Sequence, residues 1–86
     1  MSIHACEHVP AEFAARQSQG CEACLALGDR WVHLRLCVHC GHIGCCDSSK
    51  NRHATRHAMA TQHAVVQSVE PGEDWLWCYA HQQQVG

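Results

Sequence analysis

No run of apolar residues in this chain approaches the length needed to span a membrane. Positive charge is also scarce: six Lys and Arg against eight Asp and Glu leave a formal charge of −2. A general nucleic-acid binder would be basic on one face, so that class is disfavoured. The basic residues are scattered apart from Lys50, Arg52 and Arg56, which read as a solvated helix face. The first residues, Met-Ser-Ile-His-Ala-Cys, lack a basic region followed by an apolar stretch, so no secretory signal is expected. Neither an internal repeat nor a linker is visible. The expectation is one domain over residues 1–86 in the reducing cytoplasm, with a core from about 6 to 81 and a frayed tail at 82–86.

A chain of 86 residues buries enough surface roughly to offset its ordering entropy of about 1.5 kcal/mol per residue, with little surplus. A staple is needed. Eight Cys and nine His are present. A disulfide framework would use the cysteines and leave the histidines idle, whereas zinc uses both.

The densest stretch runs from Cys37 to His63: Cys37-x2-Cys40-x4-Cys45, a polar link, then His53-x3-His57-x5-His63. Cysteines separated by two residues let a tight knuckle present both sulfurs to one ion. Histidines four apart on a helix point the same way, because a turn takes 3.6 residues. Another knuckle, Cys21-x2-Cys24, lies upstream and is the first of the two in the chain, and Cys6-x-His8 and Cys78-x2-His81 stand near the two ends.

Around these ligands the chain reads as short elements. Residues 11–19 tolerate a turn or two of helix, with Phe13 as core anchor and Gly20 as the stop. Gly28-Asp29 signals a turn. Trp31 to Leu36 alternates as a strand, with Val32, Leu34 and Leu36 on the buried face and Trp31, His33 and Arg35 on the other. Asp47, Ser48 and Ser49 are candidate caps for a helix from Asn51 to Thr61, with His63 at or beyond its end. Ala64 to Glu70 is a strand, Pro71 to Asp74 a turn, and Trp75 to Tyr79 a strand with Trp75, Trp77 and Tyr79 on one face.

Twelve candidate ligands make three sets of four, and structural zinc is four-coordinate. Cys6, His8, Cys78 and His81 are the outlying pairs, and on one ion they would tie the first segment to the last strand. The middle eight permit two assignments. In the sequential one, Cys21, Cys24, Cys37 and Cys40 share an ion and Cys45, His53, His57 and His63 another. In the cross-braced one, Cys21, Cys24, Cys45 and His53 share an ion, as do Cys37, Cys40, His57 and His63. Spacing alone leaves both open. Cys46 reads as a small packed residue, and His4, His33, His39 and His42 as ordinary side chains.

From Cys6 to about His81 the pattern resembles the zinc finger of ubiquitin-specific proteases, also called the BUZ domain. The resemblance rests on Cys-x-His, two Cys-x2-Cys knuckles, a cysteine five after the second, His-x3-His-x5-His and the closing Trp-Cys-Tyr. It implies an α+β domain stapled by three Zn2+ ions, a twisted antiparallel sheet with one main helix and room for a short second, and the cross-braced assignment. His81 stands where the family commonly has cysteine. The family holds the free C-terminal glycines of ubiquitin in a pocket built from an aromatic two before the second knuckle, an arginine two after the following cysteine, and aromatics at the last knuckle. Trp77 and Tyr79 match the last of these. Arg35 occupies the first position and Asp47 the second, where it would repel a carboxylate. Trp31 and Arg35, on one strand face, would supply ring and charge from shifted positions, and the last strand offers Trp75, Trp77 and Tyr79 as its aromatic face.

The resulting expectation is a monomeric, non-catalytic interaction module whose partner is a protein, held through a C-terminal tail, with ubiquitin or a ubiquitin-like C terminus as the narrower alternative. Neither nucleic acid nor membrane is an expected partner. A metal or thiol enzyme is disfavoured because catalytic zinc keeps an open position, and twelve ligands on three ions leave none. A RING-type ligase shares the zinc weave but not the Trp-Cys-Tyr closure.

Overall fold

The computed structural model describes residues 8–85. Two helices and five strands follow in the order α1 (Glu22–Leu27), β1 (Leu34–Cys37), β2 (Ile43–Cys45), α2 (His53–Thr61), β3 (Val65–Ser68), β4 (Leu76–Cys78) and β5 (Gln83–Val85). The strands form one antiparallel sheet ordered β2-β1-β3-β4-β5. Glu70 Oε2 accepts the N–H of Leu34 at the start of β1 (2.9 Å). Pro71 and Gly72 turn the chain from β3 to β4, closed by the Glu73 N–H donating to the Glu70 carbonyl (3.0 Å).

Ten of the buried apolar residues among those described pack into two groups, and cysteines are part of both. Cys21, Cys24, Leu34, Leu36, Ile43 and Cys45 form one, against which Trp31 and Val69 pack. Val38, Val65, Cys78 and Val85 form the other, with Val9, Ala64 and Leu76 against it. None of these aliphatic side chains is larger than Leu or Ile; three cysteines belong to the first group and one to the second.

Several local expectations are corrected by packing. Residues 83–85 of the expected tail do not fray: β5 pairs with β4 through Leu76↔Val85, and Val85 is 1% exposed because it completes the second apolar group. The segment 11–19 is not helical. Its main chain runs along the 38–41 knuckle, with Ala14 N–H donating to Val38 O (2.9 Å) and Gln17 N–H to Gly41 O (3.0 Å). Phe13, held out by this extended path, is 45% exposed rather than an anchor. Gly41 makes the approach feasible, since it has φ +87° and a Cβ there would collide with the Ala15 carbonyl. The short second helix is instead α1, which starts within the Cys21–Cys24 knuckle and runs on to Leu27. Val32 precedes β1 and is exposed, while Leu34 and Leu36 are buried.

Helix α2 begins at His53, two residues later than its sequence suggests, and Asp47, Ser48 and Ser49 do not cap it. Its N-cap is Arg52 in the left-handed region, with no side-chain cap bond. The His53 N–H points at Cys45 Sγ (3.1 Å), so a cysteine ligand takes the place of the usual oxygen cap. Ser49 is used elsewhere, its Oγ accepting the Val32 N–H (2.8 Å). Asn51 Nδ2 donates to Asp29 Oδ2 (3.0 Å), and Lys50 pairs with Asp29 (3.6 Å), pinning this loop to the end of α1.

Candidate metal centre and pocket

Three groups of ligand atoms converge, the atoms of each lying within 4.8 Å of one another. The first contains Cys21 and Cys24 from the α1 knuckle, Cys45 from β2 and His53 from α2. His53 Nδ1 is 3.2, 3.4 and 3.5 Å from the sulfurs of Cys21, Cys24 and Cys45, and the sulfurs of Cys24 and Cys45 are 3.7 Å apart. The second contains Cys37 and Cys40 with His57 and His63. Its two sulfurs are 3.6 Å apart, Cys40 Sγ is 3.3 Å from His57 Nε2, and Cys37 Sγ is 3.6 Å from His63 Nδ1. In the third, Cys78 Sγ is 3.5 Å from His8 Nδ1, and the rings of His8 and His81 are 4.9 Å apart. Cys6, the expected fourth member, lies outside the described residues.

These separations test the fit of zinc. Zn–S bonds of about 2.3 Å and Zn–N bonds of about 2.05 Å at tetrahedral angles place two sulfurs about 3.8 Å apart and a sulfur and nitrogen about 3.5 Å apart. The observed S···S and S···N distances lie close to those edges. A disulfide would bring sulfurs to about 2.05 Å, and Cys21, Cys24, Cys37, Cys40 and Cys45 form none. Soft thiolates with imidazoles are the donor set zinc prefers.

The grouping is cross-braced because of α2. His53 and His57 lie one turn apart on one stripe, so they reach two neighbouring groups rather than one. His63, beyond the left-handed C-cap Gln62, turns back toward Cys37. Burial holds His57 below the ordinary imidazole value, reinforced by His42 and His63, which favours the neutral ring that binds metal. Burial pushes the Cys37 thiol up, a tendency that a bound cation reverses.

Two histidines outside the twelve are placed with purpose. His42 stacks on His57 with ring centroids 4.2 Å apart and planes inclined by 7°, and His39 stacks on His63 at 5.1 Å and 22°. His39 Nε2 also accepts the Val65 N–H (3.4 Å). Their sequence signal was only their presence within the knuckle Cys37-Val-His-Cys40-Gly-His42. Asn51, whose amide reaches Cys24 Sγ (3.6 Å), gave no signal at all.

Beside the zinc-type groups a cleft of about 180 Å³ opens between β1, β3, β4 and the loop after Cys45, lined by Arg35, Asp47, Trp75, Trp77 and Tyr79 above Val66, with Cys46 and Ser48 at its side. Arg35 and the aromatics Trp75, Trp77 and Tyr79 thus line the same cleft. The Arg35 guanidinium sits 4.6 Å from the Trp75 ring centre, and its Nη1 donates to the Leu34 carbonyl (2.9 Å) and Ser68 Oγ (3.4 Å). Asp47 accepts a hydrogen bond from Thr55 Oγ1. Burial raises the Tyr79 phenol, and Asp47 adds to it. Cys46 is buried, with Sγ 3.5 Å from Ser49 Oγ. Burial alone would raise its thiol, but hydrogen bonds around Ser49 and the Arg35 charge leave it lowered. Trp31 is not in this cleft. It rests over Gly20 against the Cys21 and Cys24 group and lines a separate hollow with Leu25, Asp29 and Arg30, because it lies ahead of β1 rather than on it.

A small α+β domain stapled by cysteine and histidine groups, with a five-stranded antiparallel sheet, defines a zinc-finger module. Residues 21–86 match the family described as Zn-finger in ubiquitin-hydrolases and other protein, and the chain belongs to that family. It is also similar to the solution structure of protein RPA1320 from Rhodopseudomonas palustris, with 44% identity and a TM-score of 0.86 over 99% of this chain and 83% of that one. No curated protein matches.

Proposed function

We propose that the chain is a non-catalytic binding module in which three structural zinc ions hold a pocket for the free C-terminal tail of a protein partner. The ions are assigned to Cys21, Cys24, Cys45 and His53; to Cys37, Cys40, His57 and His63; and to His8, Cys78 and His81 with Cys6. Four protein ligands per ion leave no open position for a substrate or an activated water. Native mass spectrometry of the loaded protein checks the count, with three ions expected.

The observation that carries the recognition reading is the Arg35 guanidinium held over Trp75 in a cleft walled by Trp77 and Tyr79. Among the described residues, Nε and Nη2 of Arg35 have no hydrogen-bond acceptor, so they are open to a carboxylate. Arg35 thus supplies from β1 the cation that the family places two residues after the cysteine equivalent to Cys45. Ubiquitin or a ubiquitin-like C terminus is the narrower alternative, to which the family's name points. Titration of the zinc-loaded protein with a peptide ending in free Gly-Gly, followed by tryptophan emission, tests this. A saturable change that is absent with the amidated peptide and with Arg35→Gln is expected. Equal responses to the free and amidated peptides, or none to either, would refute it.

A further inference from the structure

We propose that the pocket reads the last residue of its tail at two points, the carboxylate through Arg35 and the same residue's main-chain N–H through Asp47. The inference rests on the tail-binding reading and narrows it to tails whose final residue carries an N–H.

Asp47 is otherwise an obstacle, since a bare carboxylate entering the cleft would be repelled by it. A ligand that brings its own donor turns that repulsion into a charge-assisted hydrogen bond. Arg35 and Asp47 line one cleft of about 180 Å³ but do not pair with each other, the ion pair between Lys50 and Asp29 being the one found among the described residues. Each is tethered elsewhere. Arg35 is held by the Trp75 face, the Leu34 carbonyl and Ser68, and Asp47 by Thr55 through Oδ1. Oδ2 of Asp47 has no hydrogen-bond donor among the described residues. The cleft therefore presents a cation and an acceptor that remain separate, with flat rings of Trp77 and Tyr79 beside them. A terminal amino-acid residue offers the complementary pair, an anion and an N–H joined through one Cα. The small volume suits a small last residue such as glycine.

The test uses the zinc-loaded chain and two free-acid peptides that differ at one atom group, one ending in Gly-Gly and one in Gly-sarcosine, whose last nitrogen carries methyl instead of hydrogen. The glycine peptide is expected to bind roughly ten-fold more tightly, the value of one hydrogen bond to a charged group. In Asp47→Ala the two peptides are expected to bind alike. Asp47 is exposed, and retention of metal and circular dichroism confirms that this variant is folded. Equal binding by the wild-type chain overturns the inference while leaving the tail reading intact. A preference that persists in Asp47→Ala also overturns it, since the methyl group would then be excluded by shape. Binding of neither peptide removes the tail reading and this inference together.

Discussion

Replacing Gly44 by alanine tests whether the helix, the strand and the first metal group form one rigid unit. A Cβ at position 44 would lie 2.6 Å from Ala54 N, 2.8 Å from Ala54 Cα and 2.9 Å from the His53 carbonyl carbon. All three are main-chain atoms, so no side-chain rotation relieves the collision, and reaching van der Waals contact requires a retreat of about 0.8 Å. Strand β2 is held on its other side by pairing with β1, Gly44 opposite Arg35. The start of α2 must therefore move, and His53 moves with it. Its Nδ1 sits 3.2 to 3.5 Å from three sulfurs, whereas metal–ligand distances tolerate about 0.2 Å. Overpacking of this kind costs about 1–3 kcal/mol, and weaker zinc binding at this group adds to it. Urea unfolding in buffered zinc should show a lower midpoint, and the cobalt-substituted protein should show an altered visible band. Gly72→Ala is the control: nothing lies within 4 Å of a Cβ there, but φ is +79°, so a modest backbone cost without any change in the cobalt spectrum is expected. A Gly44→Ala variant with the wild-type midpoint and spectrum would refute the reasoning.

Complete chelation should abolish the cooperative fold, because structural zinc contributes on the order of 10 kcal/mol in such domains; retention of a cooperative melt by circular dichroism would contradict this. Acid acts in the same direction. Burial holds His39 and His57 below their ordinary value, so the unfolded chain takes up protons first and stability falls as pH drops below about 6.5, measurable as a falling urea midpoint. His42→Ala should speed loss of metal from the Cys37, Cys40, His57 and His63 group roughly two- to ten-fold, with His42→Phe restoring it, since an aromatic stack contributes about 0.5–1.5 kcal/mol; identical release rates in both variants would show that the stack does not position His57. Val85→Ala should cost about 2 kcal/mol in a urea titration, whereas a frayed tail would lose nothing.

The metal chemistry was legible in the sequence because ligand identity and spacing are local properties. Two residues between cysteines make a knuckle wherever it is placed, and His53 and His57 share a stripe on any helix. The strands Leu34–Cys37 and Val65–Ser68 and the turn at Pro71-Gly72 were largely legible for the same reason, each depending on residues within one short window. Which knuckle completes which ion was not local. Spacing allowed sequential and cross-braced pairings, and the resemblance chose between them. In three dimensions the one-turn offset of His53 and His57, set between the two knuckles, brings each to a different group. The pairing of Gln83–Val85 with β4, the extended path of residues 14–17 along the knuckle, the stacking of His39 and His42, and the placing of Arg35 and Asp47 in one cleft depend on residues far apart in the chain. The sequence by itself determined that this protein gathers zinc ligands on a small α+β scaffold. Only the tertiary structure decided which ligands meet and which charges face the same cleft, because such meetings are properties of packing between distant segments and leave no periodic trace along the chain.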